Sequence, residues 1–162
     1  FSRHDEADFK ETDINDLIDE TLVILNNRVK KVSLVKNYGD IALANCHASQ
    51  IAQVLLNIIG NALYASLMTQ DTAEPEVIIT TLTTSKSIEI VVQDNGSGIS
   101  PKVKDSLFDP FVTTKPVGEG TGMGLAICYN IMTDHKGEIT VENNNPGAKF
   151  TMSLPLSIVD KS

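Results

Sequence analysis

Apolar positions along this chain switch repeatedly between steps of three or four residues and steps of two. In "TDINDLIDETLVILNNR" (residues 12–28), Ile14, Leu17, Ile18, Thr21, Leu22 and Leu25 recur at helical steps, predicting an amphipathic helix capped by Asp13 or Thr12. "VSLVKNYGDIALANC" (residues 32–46) reads as two short strands about a turn at Gly39 and Asp40. Residues 47–68 predict a long helix with a wide apolar face. In residues 76–94 the second arm of a predicted hairpin alternates Ile88, Ile90 and Val92 with Glu89, Val91 and Gln93. Turn formers interrupt any period over residues 94–121, which predicts a long loop. A helix over residues 122–135 follows, with Gly137 as its stop, and residues 138–156 read as a second hairpin. The sum is an α+β fold: a two-layer sandwich with about three main helices on one face of a mostly antiparallel sheet of about five strands.

Composition narrows the function classes. At 162 residues, 41% apolar and 21% charged, the chain suits one globular domain, and no uninterrupted run of about 18 apolar residues suggests a bilayer span. A net charge of -8 and a pI near 4.7 argue against a nucleic-acid surface, and the only tight basic pair is Lys30–Lys31. Any polyanion must therefore be held by local N–H groups, one or two lysines, or a metal. Cys46 and Cys128 lack metal-ligand spacing and sit in apolar surroundings, as small core residues of a reducing, cytoplasmic compartment would. The start of the chain lacks both an initiator Met and the plan of a signal peptide, so the sequence is expected to be a piece of a longer protein.

Four stretches carry candidate chemistry. "GEGTGMGLAICYNIM" (residues 118–132) runs glycines into a helix start, yet it fails the spacing of a P-loop, a dinucleotide fingerprint and a protein-kinase glycine loop. A helix N-terminus beside flexible backbone suits a phosphate, and a plain surface loop fits the same glycines. In "QDNGSGI", Asp94 ends a strand, with Gly96 and Gly98 behind it allowing close approach; its carboxylate could accept a hydrogen bond from an amino group such as adenine N6. An Asx turn is the other reading. Asn57 and Asn61 stand one turn apart in the long apolar helix, where Asn is a poor interior residue. Their amide oxygens suit Mg²⁺, while a solvated stripe with Gln50 and Gln53 is the alternative. "LFDPFVTTK" places Phe108 and Phe111 in a loop-like stretch that ends at Lys115, which could meet a terminal phosphate; a docking patch and a satellite core fit the aromatics equally.

Taken in order, "QVLLNIIGNALYAS", "DNGSGI", "LFDPFVTTK" and "GEGTGMGLAI" resemble the N, G1, F and G2 boxes of bacterial sensor histidine kinases, within the gyrase, Hsp90, histidine kinase and MutL ATPase superfamily. The resemblance runs from about Thr12 to Leu156 and implies the Bergerat fold, with ATP and Mg²⁺ bound under a mobile lid. It implies that Asn61 is the Mg²⁺ ligand, with Asn57 its partner near the phosphates, and that Asp94 binds adenine beside Gly96, Gly98 and Ile99. Lys115, Gly120, Thr121, Gly122, Met123, Gly124 and Leu125 would meet the phosphates or hinge the lid, and Thr151 of the closing strand would touch the nucleotide. Phe108 and Phe111 resemble the F-box aromatics that can face partner helices. Two departures stand out: Tyr64 replaces a Lys that many relatives carry, and Ala148 replaces a Thr.

The implied function is transfer of the γ-phosphate of Mg·ATP to a His on a helical dimerisation domain of the same protein, a homodimer in its full-length form, with a response regulator downstream. No nucleic acid and no membrane contact by this domain are expected. His4 lacks the helix of a phosphoacceptor, so residues 1–11 read as the remnant of the preceding helical segment, 12–156 as the catalytic and ATP-binding domain, and 157–162 as a tail. A water-using ATPase is the alternative enzyme, but relatives of that kind place a Glu where this chain has Asn57. A regulatory ATP-binding module and a protein Ser kinase remain further readings.

Overall fold

The computed structural model describes residues 9–68, 74–100, 104, 106–109, 124–143 and 146–156. Strand β1 (Phe9–Thr12) leads into helix α1 (Ile14–Ile24), capped by the Asp13 carboxylate, which accepts the N–H groups of Asn15 and Asp16. Leu25 leaves helical geometry where two asparagines follow, and a single turn α2 (Asn26–Val29) completes the segment. Strands β2 (Ser33–Tyr38) and β3 (Ala44–His47) precede the long helix α3 (Ala48–Met68). Then come β4 (Glu76–Thr83), β5 (Ser87–Asp94), α4 (Gly124–Asp134), β6 (Glu138–Asn143) and β7 (Ala148–Pro155).

Five strands form one mixed sheet in the order β2-β4-β5-β7-β6, parallel only between β2 and β4. The expected hairpins β4–β5 and β6–β7 both form. The two strands about Gly39 exist but do not pair with each other: β2 joins the main sheet, whereas β3 pairs antiparallel with β1. Phe9, Lys10 and Glu11, read from sequence as the remnant of a preceding helical segment, instead form a strand paired with β3. The segment "FKET" offers one large apolar residue and no alternation, so only its partner makes it a strand.

One face of the sheet is covered. Ile88, Ile90 and Val92 of β5 and Phe150, Met152 and Leu154 of β7 are buried beneath α3 and α4, while their alternate neighbours face the other way. By length and mean composition α3 could cross a bilayer, an exception to the expectation from uninterrupted runs. Here it is the central core helix, with Ile51, Val54, Leu55, Ile58, Ile59 and Leu63 all at 1% exposure or less. Cys46 and Cys128 are buried free thiols, as expected, and burial pushes the Cys128 pKa up to about 12.

Helix α4 ends in a Schellman turn, with Gly137 N–H donating to Met132 C=O (2.8 Å) and Lys136 N–H to Thr133 C=O (2.9 Å). The left-handed residue is Lys136, at φ 61°, rather than the Gly137 expected as the stop. Gly137 is needed for a different reason: a Cβ there would overlap the Ser153 carbonyl oxygen on β7.

Candidate functional site

Asp94 extends the helix-facing series of β5, so strand alternation alone carries its carboxylate between the sheet and the helix layer. It is only 6% exposed there. Its Oδ1 accepts the N–H of Gly96 at 2.8 Å and that of Ala148 at 3.4 Å. Burial pushes its pKa up, and the two N–H donors offset only part of that rise. Both donors converge on Oδ1, and among the described residues no hydrogen bond reaches Oδ2. Two N–H groups thus hold one oxygen in place, and among the described residues the other keeps its capacity to accept. Ala148, where a Thr was the resemblance's expectation, contributes through its backbone.

Close packing shapes the rest of this end. A Cβ on Gly96 would lie 2.6 Å from the Ala65 carbonyl oxygen of α3, so only glycine lets the loop lie this near the helix. Gly98 (φ +84°) and Gly147 (φ +96°) adopt backbone conformations that favour glycine; Gly147 lies against Asp94 and Asn95, and Gly98 against Asn143 and Gly147. Two side-chain amides fasten the loop. Asn95 Oδ1 accepts the N–H of Glu76 (3.0 Å) and its Nδ2 donates to the carbonyl of Glu74 (2.7 Å). On the other side, Ile99 N–H donates to Asn143 Oδ1 (2.7 Å), and Asn143 Nδ2 donates to the Ile99 carbonyl (3.1 Å). Asn143 was not readable as a site residue, since nothing in "ENNNPG" points to position 99.

At the other end, Asn57 and Asn61 are half-buried one turn apart on α3. Asn57 Nδ2 donates to the Gln53 carbonyl (3.0 Å), and its Oδ1 lies so near Gly124 that a Cβ there would sit 2.7 Å away. Gly124 is the first residue of α4, so the amide of one helix meets the N-terminus of another. Leu125 follows it, packed against the core. Phe108 is turned inward, its ring 5.9 Å from that of Tyr129 on α4 and 6.5 Å, edge-on, from that of Phe150. Phe111, Lys115, Gly120, Thr121, Gly122 and Met123, with the expected lid, lie outside the described residues, as does His4.

Thr151 is not part of this constellation. The register sets it opposite Val91 and Thr140, on the sheet face away from α3, while Ala148 and Phe150 take the helix side. The expected nucleotide contact at Thr151 is corrected by parity: a residue three positions along a strand from Ala148 points to the opposite face.

The donor set fits a hard cation that shares its ligands with a bound anion. Among the described residues no three His, Cys, Asp or Glu side chains gather as a metal centre, whereas amide oxygens one turn apart on α3, one of them beside the start of α4, are of the kind that suit Mg²⁺ held mainly by phosphates and water.

The chain belongs to the histidine kinase-, DNA gyrase B- and HSP90-like ATPase family, whose model matches residues 46–158. ATP binding goes with that membership. It is 35% identical over 164 residues to the signal transduction histidine-protein kinase AtoS of Escherichia coli K12, covering 97% of this chain and 26% of AtoS. It is 34% identical to the sensor histidine kinase ZraS of the same strain, covering 92% of this chain and 31% of ZraS. The chain thus spans about a quarter to a third of these relatives. The solved catalytic domain of the histidine kinase ThkA superposes with a TM-score of 0.78 at 29% identity, over 91% of this chain and 97% of that one. ThkA in complex with the response regulator protein TrrA gives 0.77 at 26% identity, over 94% of this chain and 43% of that one.

Proposed function

We propose that this chain is the catalytic and ATP-binding domain of a cytoplasmic sensor-kinase segment that transfers the γ-phosphoryl group of ATP to a His on a helical dimerisation domain. The observation that carries the reading is Asp94, buried at a strand end with Oδ1 holding two backbone N–H groups and, among the described residues, no hydrogen bond to Oδ2. Adenine N6 supplies that donor, with Gly96, Gly98 and Ile99 forming the wall beside it. Asn61 would hold Mg²⁺, with Asn57 next to it. Gly124 and Leu125, at the start of α4, would meet the phosphates together with Lys115, Gly120, Thr121, Gly122 and Met123 of the preceding segment.

Bound Mg²⁺ would neutralise phosphate charge. The chain's own residues orient: Asp94 fixes the base, and the positive end of the α4 dipole attracts the phosphate end. In the transfer, the bond from the γ-phosphorus to the bridging oxygen breaks, a P–N bond forms on the acceptor imidazole, and ADP leaves. Asn57 explains why the acceptor is a ready nucleophile rather than water. An amide cannot take a proton from water, whereas an imidazole brings its own lone pair. The similarity to AtoS and ZraS supports the kinase reading, and the ThkA–TrrA complex supports a response regulator downstream.

The test supplies γ-labelled Mg·ATP to this chain with the helical domain of its parent protein. Acid-labile label on a His is expected; rapid release of free phosphate with no labelled His would replace the reading with that of a water-using ATPase.

A further inference from the structure

Among the described residues, the Asn95 and Asn143 side chains fasten the loop after β5 on its two sides, and these fastenings differ in kind. Asn95 ties it to residues 74–76, beside the strand from which the loop emerges. Asn143 reaches from the last position of β6 and makes a two-way amide pair with the backbone of Ile99, at 2.7 and 3.1 Å. That pair joins positions 44 residues apart in sequence. The same side chain limits Gly98, since a Cβ there would lie 3.0 Å from Asn143 Oδ1. Between the two fastenings lies Gly96, whose N–H holds Asp94 Oδ1. If the Asn143 end lets go, residues 96–99 lose their fixed position, and with it goes the donor that sets the direction of the carboxylate.

We propose that Asn143 is a positioning residue for base recognition, acting through the Ile99 backbone to hold the Gly96 N–H on Asp94 and so to aim Asp94 Oδ2 at the amino group of a bound adenine. It touches no part of the nucleotide itself. The inference rests on the adenine reading of Asp94 given above, and it adds a selectivity determinant on β6, an edge strand of the sheet.

The test measures Kd for ADP and for inosine diphosphate, which carries an oxo group in place of the amino group, by calorimetry with Mg²⁺ present. In Asn143→Ala the Kd for ADP rises about tenfold, as expected for losing two exposed hydrogen bonds, while the inosine nucleotide changes by less than about threefold. A merely structural loss would weaken both equally. Asn143→Asp keeps the acceptor for Ile99 N–H and recovers most of the preference. An unchanged ADP preference in Asn143→Ala, with binding lost in Asp94→Ala, overturns the role of Asn143; undiminished ADP binding in Asp94→Ala overturns the adenine reading beneath it. In the unsubstituted chain, amide exchange at Ile99 slows on saturation with ADP, and no slowing there also counts against the proposal.

Discussion

His135 Nε2 accepts the backbone N–H of His47 at 3.1 Å, fastening the end of α4 to the residue from which α3 springs. The other ring nitrogen, Nδ1, lies 2.8 Å from the Ile131 carbonyl, so the proton sits on Nδ1 and the ring is neutral. Phe9 of β1 stacks on this ring with centroids 4.9 Å apart and meets His47 edge-on. One buried imidazole thus joins three elements.

Burial holds the His135 pKa below the ordinary histidine range, and His47 adds to the lowering; the Ile131 carbonyl and Asp134 oppose it. The folded state therefore binds fewer protons than the unfolded one at mildly acid pH. Its contribution to stability is complete above the unfolded value of about 6.5 and is lost as pH falls toward the lower folded value. Melting temperature should drop between neutral pH and pH about 5, and the drop should shrink in His135→Gln.

Asp94 shifts in the opposite direction, and its consequence is for binding. Because its pKa is raised by burial, the acceptor carboxylate becomes protonated at a pH above the usual carboxylate range. ADP affinity should begin to fall there as pH is lowered. Asp94→Asn removes the buried charge yet points an amide donor at a donor, so apo stability at neutral pH should hold or rise while ADP affinity falls about 10- to 100-fold. Calorimetry and thermal melting on one preparation separate the two effects.

Gly124→Ala replaces glycine in a helix, a change worth up to about 1 kcal/mol in favour of folding. Its Cβ would nevertheless crowd Asn57 Oδ1, at 2.7 Å. Affinity for Mg·ATP should fall while the melting temperature changes by only a few degrees; unaltered affinity would count against a role for Asn57 at the phosphates.

Lys136→Gly should stabilise the domain by about 0.5–1 kcal/mol, since φ 61° is strained for a residue with a Cβ. Gly137→Ala should destabilise it by about 1–3 kcal/mol through the overlap with the Ser153 carbonyl. Denaturant titration of both variants checks the pair, and the opposite order would contradict the Schellman assignment.

Thr151→Val should leave the Kd for ADP within about twofold, because the side chain lies on the face of the sheet opposite Asp94.

Periodicity made α1, α3 and both hairpins legible, because each buries one face and so writes its period into the sequence. Strand β1 was not, since its order depends on β3 and on the stacking of Phe9 against His135. The sequence places two short strands about a turn at Gly39, but it does not show that the Gly39 N–H bonds the Thr81 carbonyl and side chain and so serves the parallel pair β2–β4. Within the candidate site, Asp94, Gly96 and Asn57 stand out in the sequence through local chemistry, and Gly124 only through the resemblance of the glycine stretch. Asn143 was hidden because its partner is distant in sequence, and Thr151 misled because motif position does not report which face a strand residue takes.

Helix α3 touches the site at two separated places: Asn57 abuts Gly124, and the Ala65 carbonyl abuts Gly96. Ala65 lies eight positions after Asn57, which at the rise of an α-helix is about 12 Å. The helix is therefore a ruler between the base end and the phosphate end of the proposed site. Inserting one residue between these marks would turn one end by about 100° relative to the other, so the length of the ligand is encoded as a residue count.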